Sequence, residues 1–146
     1  MILGEKVAII TGAGTGIGEA IAHKFAREGA RLALGGLPSD PVRDVAEAIV
    51  ANGGDAEAHT GDLAEEAEAG ALVDFALRRF GRIDVLVSNA GIFIANAETS
   101  AYRIEDFDRT FRSNVRAAFL MTKFALPHLR KTRGNIIYIT RVPKPD

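Results

Sequence analysis

One short apolar run that breaks into glycines constrains this chain more than any other feature. Val7-Ala8-Ile9-Ile10-Thr11 has no polar alternation and reads as a strand buried on both faces. It passes directly into Gly-Ala-Gly-Thr-Gly-Ile-Gly18. Ile17, Ile21 and Phe25 then recur every fourth residue up to Gly29, which is helix spacing with a glycine stop. Gly12, Gly16 and Gly18 let the backbone turn sharply and approach a ligand closely, and three glycines at this spacing exceed what a tight turn needs. The helix that follows offers free N–H groups and the positive end of its dipole to a pyrophosphate. Strand, glycine turn and helix in that order form the context in which a dinucleotide is bound.

The same alternation continues to the end of the chain. Residues 31–34 read as a second strand, and Asp40-Pro41 as the cap and first position of a helix that runs through Val45 and Ile49 to Gly53-Gly54. Residues 55–60 form a weaker strand, residues 64–80 a third helix closed by Gly81, and residues 83–88 a fourth strand. A long helical region over 102–131 ends near Gly134, with Phe107, Phe111, Phe119, Leu126 and Leu129 as its apolar side. Residues 136–140 are the fifth strand, and the two prolines in 141–146 leave an irregular tail. Each helix closes on a glycine. This pattern of βαβ units crosses over right-handed into a parallel sheet, so the expected fold is α/β, a doubly wound Rossmann-like parallel sheet of about five strands in the order 3-2-1-4-5. One dinucleotide-binding domain over 1–140 is expected.

Composition closes off other classes. The chain has 146 residues, 47% of them hydrophobic and 25% charged, which suits a globular domain with a real core. A net charge of −1 carries no global argument for nucleic acid or an anionic membrane. There is no cysteine, which excludes disulfides, thiol nucleophiles and thiolate metal sites, and His23, His59 and His128 show no ligand spacing. No leader or span of about 20 apolar residues is read, so a cytoplasmic protein without metal, nucleic acid or membrane partner is expected.

Taken with further motifs in order, the turn resembles that of the short-chain dehydrogenase/reductase family. The spacing Gly12-x-x-x-Gly16-x-Gly18 after Thr11 is similar to that family's turn, with Gly14, Thr15 and Ile17 inside it. Asp62 and Leu63, after Gly61, resemble the pair whose aspartate contacts adenine, although Asp62 also reads as a helix cap with Glu65 as its partner. Ser88-Asn89-Ala90-Gly91 resembles the family's Asn-Asn-Ala-Gly beside the cofactor. Asn114 resembles the helix asparagine that holds a water in a proton relay. Residues 134–140 resemble the strand leading to the catalytic serine, where Thr140 is one residue early. The resemblance implies NAD(P)(H)-dependent hydride transfer between an alcohol and a carbonyl. It also implies that the helix over 102–131 packs between subunits, so a homo-oligomer is possible.

Two departures qualify what is implied. The family's proton donor is a tyrosine with a lysine four residues later, a cation that lowers the tyrosine pKa. Here Tyr102 is followed by Asp106 and Tyr138 by Val142. The implied chain is therefore C-terminally shortened, lacks the family's last strands, exposes its fifth strand as an apolar edge, and is inactive by itself. Its alternative role is a dinucleotide-binding or subunit-association fragment, and a small carbonyl or alcohol substrate belongs to a full-length parent. The second departure is Gly36, where an acid at the end of the second strand would select NAD; Thr15 and Leu37 supply no cation for NADP. NAD or NADP stays open at this point.

Overall fold

The computed structural model describes residues 1–94 and 98–140. The irregular tail expected over 141–146 lies outside them. Five strands, β1 (Val7–Thr11), β2 (Arg31–Gly36), β3 (Asp55–Thr60), β4 (Val85–Ser88) and β5 (Asn135–Tyr138), form one sheet in the order β3-β2-β1-β4-β5, with every pair parallel. This is the expected doubly wound sheet. β1 lies at its centre, as its unbroken apolar run requires: all five of its residues are buried.

Side chains alternate across the sheet and sort into two cores. Val7, Ile9, Ala33 and Leu86 face α3 (Glu66–Phe80) and α5 (Ala117–Thr132). Ala8, Ile10, Leu32, Leu34 and Val87 belong to the opposite core, which takes in Ala22 of α1 (Gly16–Arg27) and Val42, Val45 and Ile49 of α2 (Val42–Ala51). No helix among the described residues is long and apolar enough to cross a membrane.

Three local expectations change. Asp40 does not cap α2: Pro41 stands at the N-cap and no side chain bonds there. The last helix is closed by Arg133 in the left-handed region (φ 53°) rather than by glycine. Gly134 is needed for a different reason, since a Cβ there would run into the Asp84 carbonyl oxygen. The helical region over 102–131 is not one regular helix. It consists of α4 (Ile104–Phe111), a π turn (Arg112–Arg116) and α5. Its apolar residues also divide. Leu120, Met121, Ala125 and Leu129 are buried against the sheet and α3, whereas Ile104, Phe107, Phe111, Val115 and Phe119 face outward and are exposed. Among the described residues no strand pairs with the outer side of β5, the edge expected there, and Ile137 and Tyr138 are both exposed.

At the end of the sheet away from the glycine turn, Asp84 fastens three strands. Its side chain is only 3% exposed and accepts the Val7 N–H at 3.0 Å and two N–H groups of Arg82 at 2.9 and 2.6 Å. Its backbone N–H donates to the Val7 carbonyl and its carbonyl accepts the Asn135 N–H. Burial pushes the Asp84 carboxyl up, but the hydrogen bonds from Arg82 and Val7 and the charges of Arg82 and Lys6 outweigh it and hold the group below the usual aspartate value of 3.8. A depressed carboxyl stabilises the fold above its unfolded pKa, and that share is lost as pH falls through the folded value. Asp84→Asn should therefore cost roughly 2 kcal/mol at neutral pH. In urea unfolding curves the gap from wild type should narrow below pH 3.8.

Candidate dinucleotide site

The carboxyl ends of β1, β2 and β4 open into a cleft of about 420 Å³. In an open parallel sheet this is the crevice where ligands bind, at the point where the strand order reverses. Of the residues expected at a cofactor site, Gly12, Gly14, Thr15, Gly16, Ile17, Gly36, Asp62, Leu63, Asn89, Ala90 and Gly91 all line it. Residues as far apart in sequence as Gly12 and Ala117 are brought to one surface by the topology.

The turn after β1 is held from two sides. The Thr11 hydroxyl, almost fully buried, donates to the Val87 carbonyl at 3.4 Å and accepts the N–H groups of Asn89 and Ala90, each at 3.0 Å. The Asn89 amide donates to the Thr11 and Gly12 carbonyl oxygens, both at 3.1 Å. Each of these bonds joins the exits of β1 and β4, and the Ala13 N–H ties the turn to β2 by donating to the Gly35 carbonyl at 3.1 Å. The glycines follow from this crowding. Gly12 has φ +62°, and a Cβ on it would lie 2.9 Å from the Ala90 Cα. A Cβ on Gly18 would overlap the Gly12 carbonyl oxygen and come within 2.6 Å of the Asn89 amide nitrogen. Gly18 and Thr11 thus shape the turn from beneath and do not themselves line the cleft.

Gly16 differs. It has φ +57° and nothing within 4 Å of a Cβ, so it opens on free space. Thr15 stands at the N-cap of α1 in extended conformation without a side-chain bond, which leaves the first N–H groups of the helix pointing outward. A bare glycine, free helix N–H groups and a cleft of this size fit a pyrophosphate and the nucleoside beside it.

The far wall comes from the π turn. Asn114 is not on the cleft surface. Its side-chain oxygen accepts the Ile92 N–H at 2.7 Å and its amide donates to the Ile92 carbonyl at 2.8 Å, so it clamps the loop leaving β4 in the manner of a strand partner. Gly91 is small because a Cβ there would meet the Asn114 oxygen at 2.9 Å. Asp62 behaves as an Asx turn ahead of α3, accepting the Ala64 N–H at 3.0 Å. Its other oxygen takes Arg112 at 2.6 Å, and Arg112 reaches Glu65 at the same distance. Burial pushes the Asp62 carboxyl up, but the Ala64 N–H and the Arg112 guanidinium outweigh it and hold the group below its usual range. Thr140, by contrast, is exposed beyond β5 and outside the cleft.

Sequence reasoning missed Leu37, Asp40, Gly61, Ile92, Ser113 and Ala117 as lining residues. Asp40 was legible only as a cap. Arg112 carried no signal at all, because its partners lie 50 and 47 residues away. The two kinds of glycine give a clear contrast. Gly16→Ala should cost about 1–2 kcal/mol, the price of a left-handed alanine in open space. Gly18→Ala should cost more, because the Gly12 carbonyl must move, and comparison of urea midpoints for the two variants measures the difference.

A family model described as short chain dehydrogenase matches residues 6–142 of this chain. The chain is 38% identical over 135 residues to an uncharacterized oxidoreductase of Bacillus subtilis, covering 92% of this chain and 50% of that protein. It is 37% identical over 135 residues to 7alpha-hydroxysteroid dehydrogenase of Escherichia coli, covering 92% and 52%. A solved structure of 7 alpha-hydroxysteroid dehydrogenase complexed with NADH and 7-oxo glycochenodeoxycholic acid superposes with a TM-score of 0.87 at 37% identity, over 94% of this chain and 54% of that one. The chain thus spans about half the length of the curated relatives it matches. With the sheet order, the cleft and the glycine turn already in place, these likenesses show that the chain belongs to the short-chain dehydrogenase family.

Proposed function

We propose that residues 1–140 form the dinucleotide-binding unit of an NAD(P)(H)-dependent oxidoreductase that moves hydride between an alcohol and a carbonyl. The observation that carries this reading is the cleft itself, in which the glycine turn, Asp62 and the Asn89–Gly91 segment converge at the carboxyl ends of the strands. When bound, the cofactor supplies the hydride. The residues of this chain bind and orient it: the first turn of α1 holds the pyrophosphate, Asp62 and Leu63 flank the adenine, and Ala90 and Gly91 lie under the path towards the nicotinamide. Asn114 stands at the family's relay position and holds the Ile92 loop in place. Thr140 stands one residue before the family's serine position.

The proton chemistry is not complete within this sequence. Neither Tyr102 nor Tyr138 has a lysine four residues on, and the Tyr138 hydroxyl is engaged with Thr122 at 2.7 Å. A general acid contributes about 10²–10⁴-fold. The 146 residues by themselves should therefore bind dinucleotide without reducing ketones. NADH fluorescence titration beside a ketone-reduction assay checks this, and measurable turnover, abolished by Asn114→Ala, would contradict it.

A second reading, association between copies, rests on the outward face of α4, the π turn and α5. Ile104, Phe107, Phe111, Val115 and Phe119 recur every three or four residues along one side, and the Phe107 and Phe111 rings touch with centroids 4.5 Å apart and planes tilted by 30°. Large apolar side chains grouped in this way mark interaction surfaces. Sedimentation at increasing concentration should show a rise in mass that Phe119→Asp abolishes; a monomer at every concentration would exclude this reading.

A further inference from the structure

Gly36 ends β2 on the floor of the cleft, and its lack of a side chain leaves the choice of dinucleotide undetermined in the sequence. The structure places a carboxylate there by another route. The chain turns back at Leu37–Asp40, with the Asp40 N–H donating to the Leu37 carbonyl at 3.0 Å. The Leu37 N–H donates in return to the Asp40 Oδ2 at 3.0 Å. A Cβ on Gly36 would lie 3.3 Å from that oxygen and press on the Val42 side chain at 2.5 Å. Asp40 and the start of α2 therefore already fill the space in which a side chain on residue 36 would begin. On its other flank Asp40 packs under the glycine turn, where a Cβ on Gly14 would meet the Asp40 Cβ at 3.2 Å.

Asp40 thus sits between the turn that holds the pyrophosphate and the end of β2, on the surface of the cleft. It is free for a ligand in a way that the other cleft carboxylate is not. Asp62 has Arg112 on one oxygen and the Ala64 N–H on the other. Asp40 has one oxygen on the Leu37 N–H, and among the described residues no lysine or arginine pairs with it and none lines the cleft. Arg43, the nearest cation along α2, lines a separate groove with Ala46, Glu47 and Val50.

We propose that Asp40 determines which dinucleotide this chain takes: its carboxylate accepts hydrogen bonds from the adenosine ribose hydroxyls and repels a 2′-phosphate, so that NAD(H) is preferred to NADP(H). The proposal rests on the dinucleotide-binding reading and adds to it the specificity and the residue that sets it. A carboxylate is acceptor-only when ionised, which suits a diol donor. A phosphate placed beside it has no cation to offset the like charge, and such juxtapositions cost several kcal/mol.

The test uses the full chain, with NADH and NADPH as the probes, titrated by fluorescence at low and moderate salt. The wild type should bind NADH at least about tenfold more tightly than NADPH, with the ratio shrinking as salt screens the charge. Asp40→Asn keeps a carbonyl oxygen for the Leu37 N–H and removes only the charge. It should tighten NADPH several-fold while its melting temperature stays near that of the wild type, so that the ratio falls to about threefold or less. Asp40→Ala, which also removes the acceptor, should narrow the ratio similarly but unfold at lower temperature. A ratio unchanged in Asp40→Asn overturns the proposal alone. So does a wild type that prefers NADPH and loses that preference in Arg43→Ala. Binding of neither dinucleotide by the wild type removes the underlying reading, and this proposal with it.

Discussion

The Asn89 side chain is the interaction on which the site depends. One amide group ties the carbonyl oxygens of Thr11 and Gly12 to the exit of β4, and the Thr11 hydroxyl returns the bond by accepting two N–H groups from the same segment. A turn with two left-handed glycines is entropically expensive to hold, because glycine loses more freedom on folding than other residues. Here the cost is offset by polar bonds that satisfy backbone groups at a strand end, where a ladder can no longer do so. The packing leaves no room for a Cβ at Gly12 or Gly18, so the shape of the turn and the position of Asn89 specify one another.

The opposite wall is organised by charge and by a change of helical pitch. The five residues from Arg112 to Arg116 form a π turn, the kind of local widening often found at functional sites. From it Arg112 reaches Asp62 and Glu65, Arg116 donates to the Ala64 carbonyl at 2.8 Å, and Asn114 clasps Ile92. The segment before α3 and the loop after β4 are thereby fixed to the same turn. These pairs are half-exposed, so each contributes modestly in water; their effect is to set geometry more than to hold the fold together. Stability comes from the two apolar cores and from the Asp84 fastening at the far end of the sheet.

The sequence disclosed this architecture well because its signals are local. The apolar run of β1, the glycine turn and the four-residue spacing of Ile17, Ile21 and Phe25 are each readable within a dozen residues, and the β3-β2-β1-β4-β5 order is that of the doubly wound fold to which such a turn belongs. What stayed hidden is long-range or conformational. Arg112 finds partners about fifty residues back in the chain. The π turn has the same apolar spacing as an ordinary helix at the level of letters, and Phe107 and Leu129 look alike although one faces out and the other in. Asp40-Pro41 has the form of a cap, yet the Asp40 carboxylate folds back to Leu37, in space that Gly14 and Gly36 leave open by having no Cβ.

The open edge at β5 also says something about assembly in time. Among the described residues the last that lines the cleft is Ala117, at the first turn of α5, and β5 contributes none. Domains form largely in the order in which they are synthesised, from the N-terminus onward. Every described residue in the walls of the cleft therefore precedes β5 in the order of synthesis. The walls of the cleft do not wait on the β5 edge, and any ligand that seats between them would favour the folded chain by mass action.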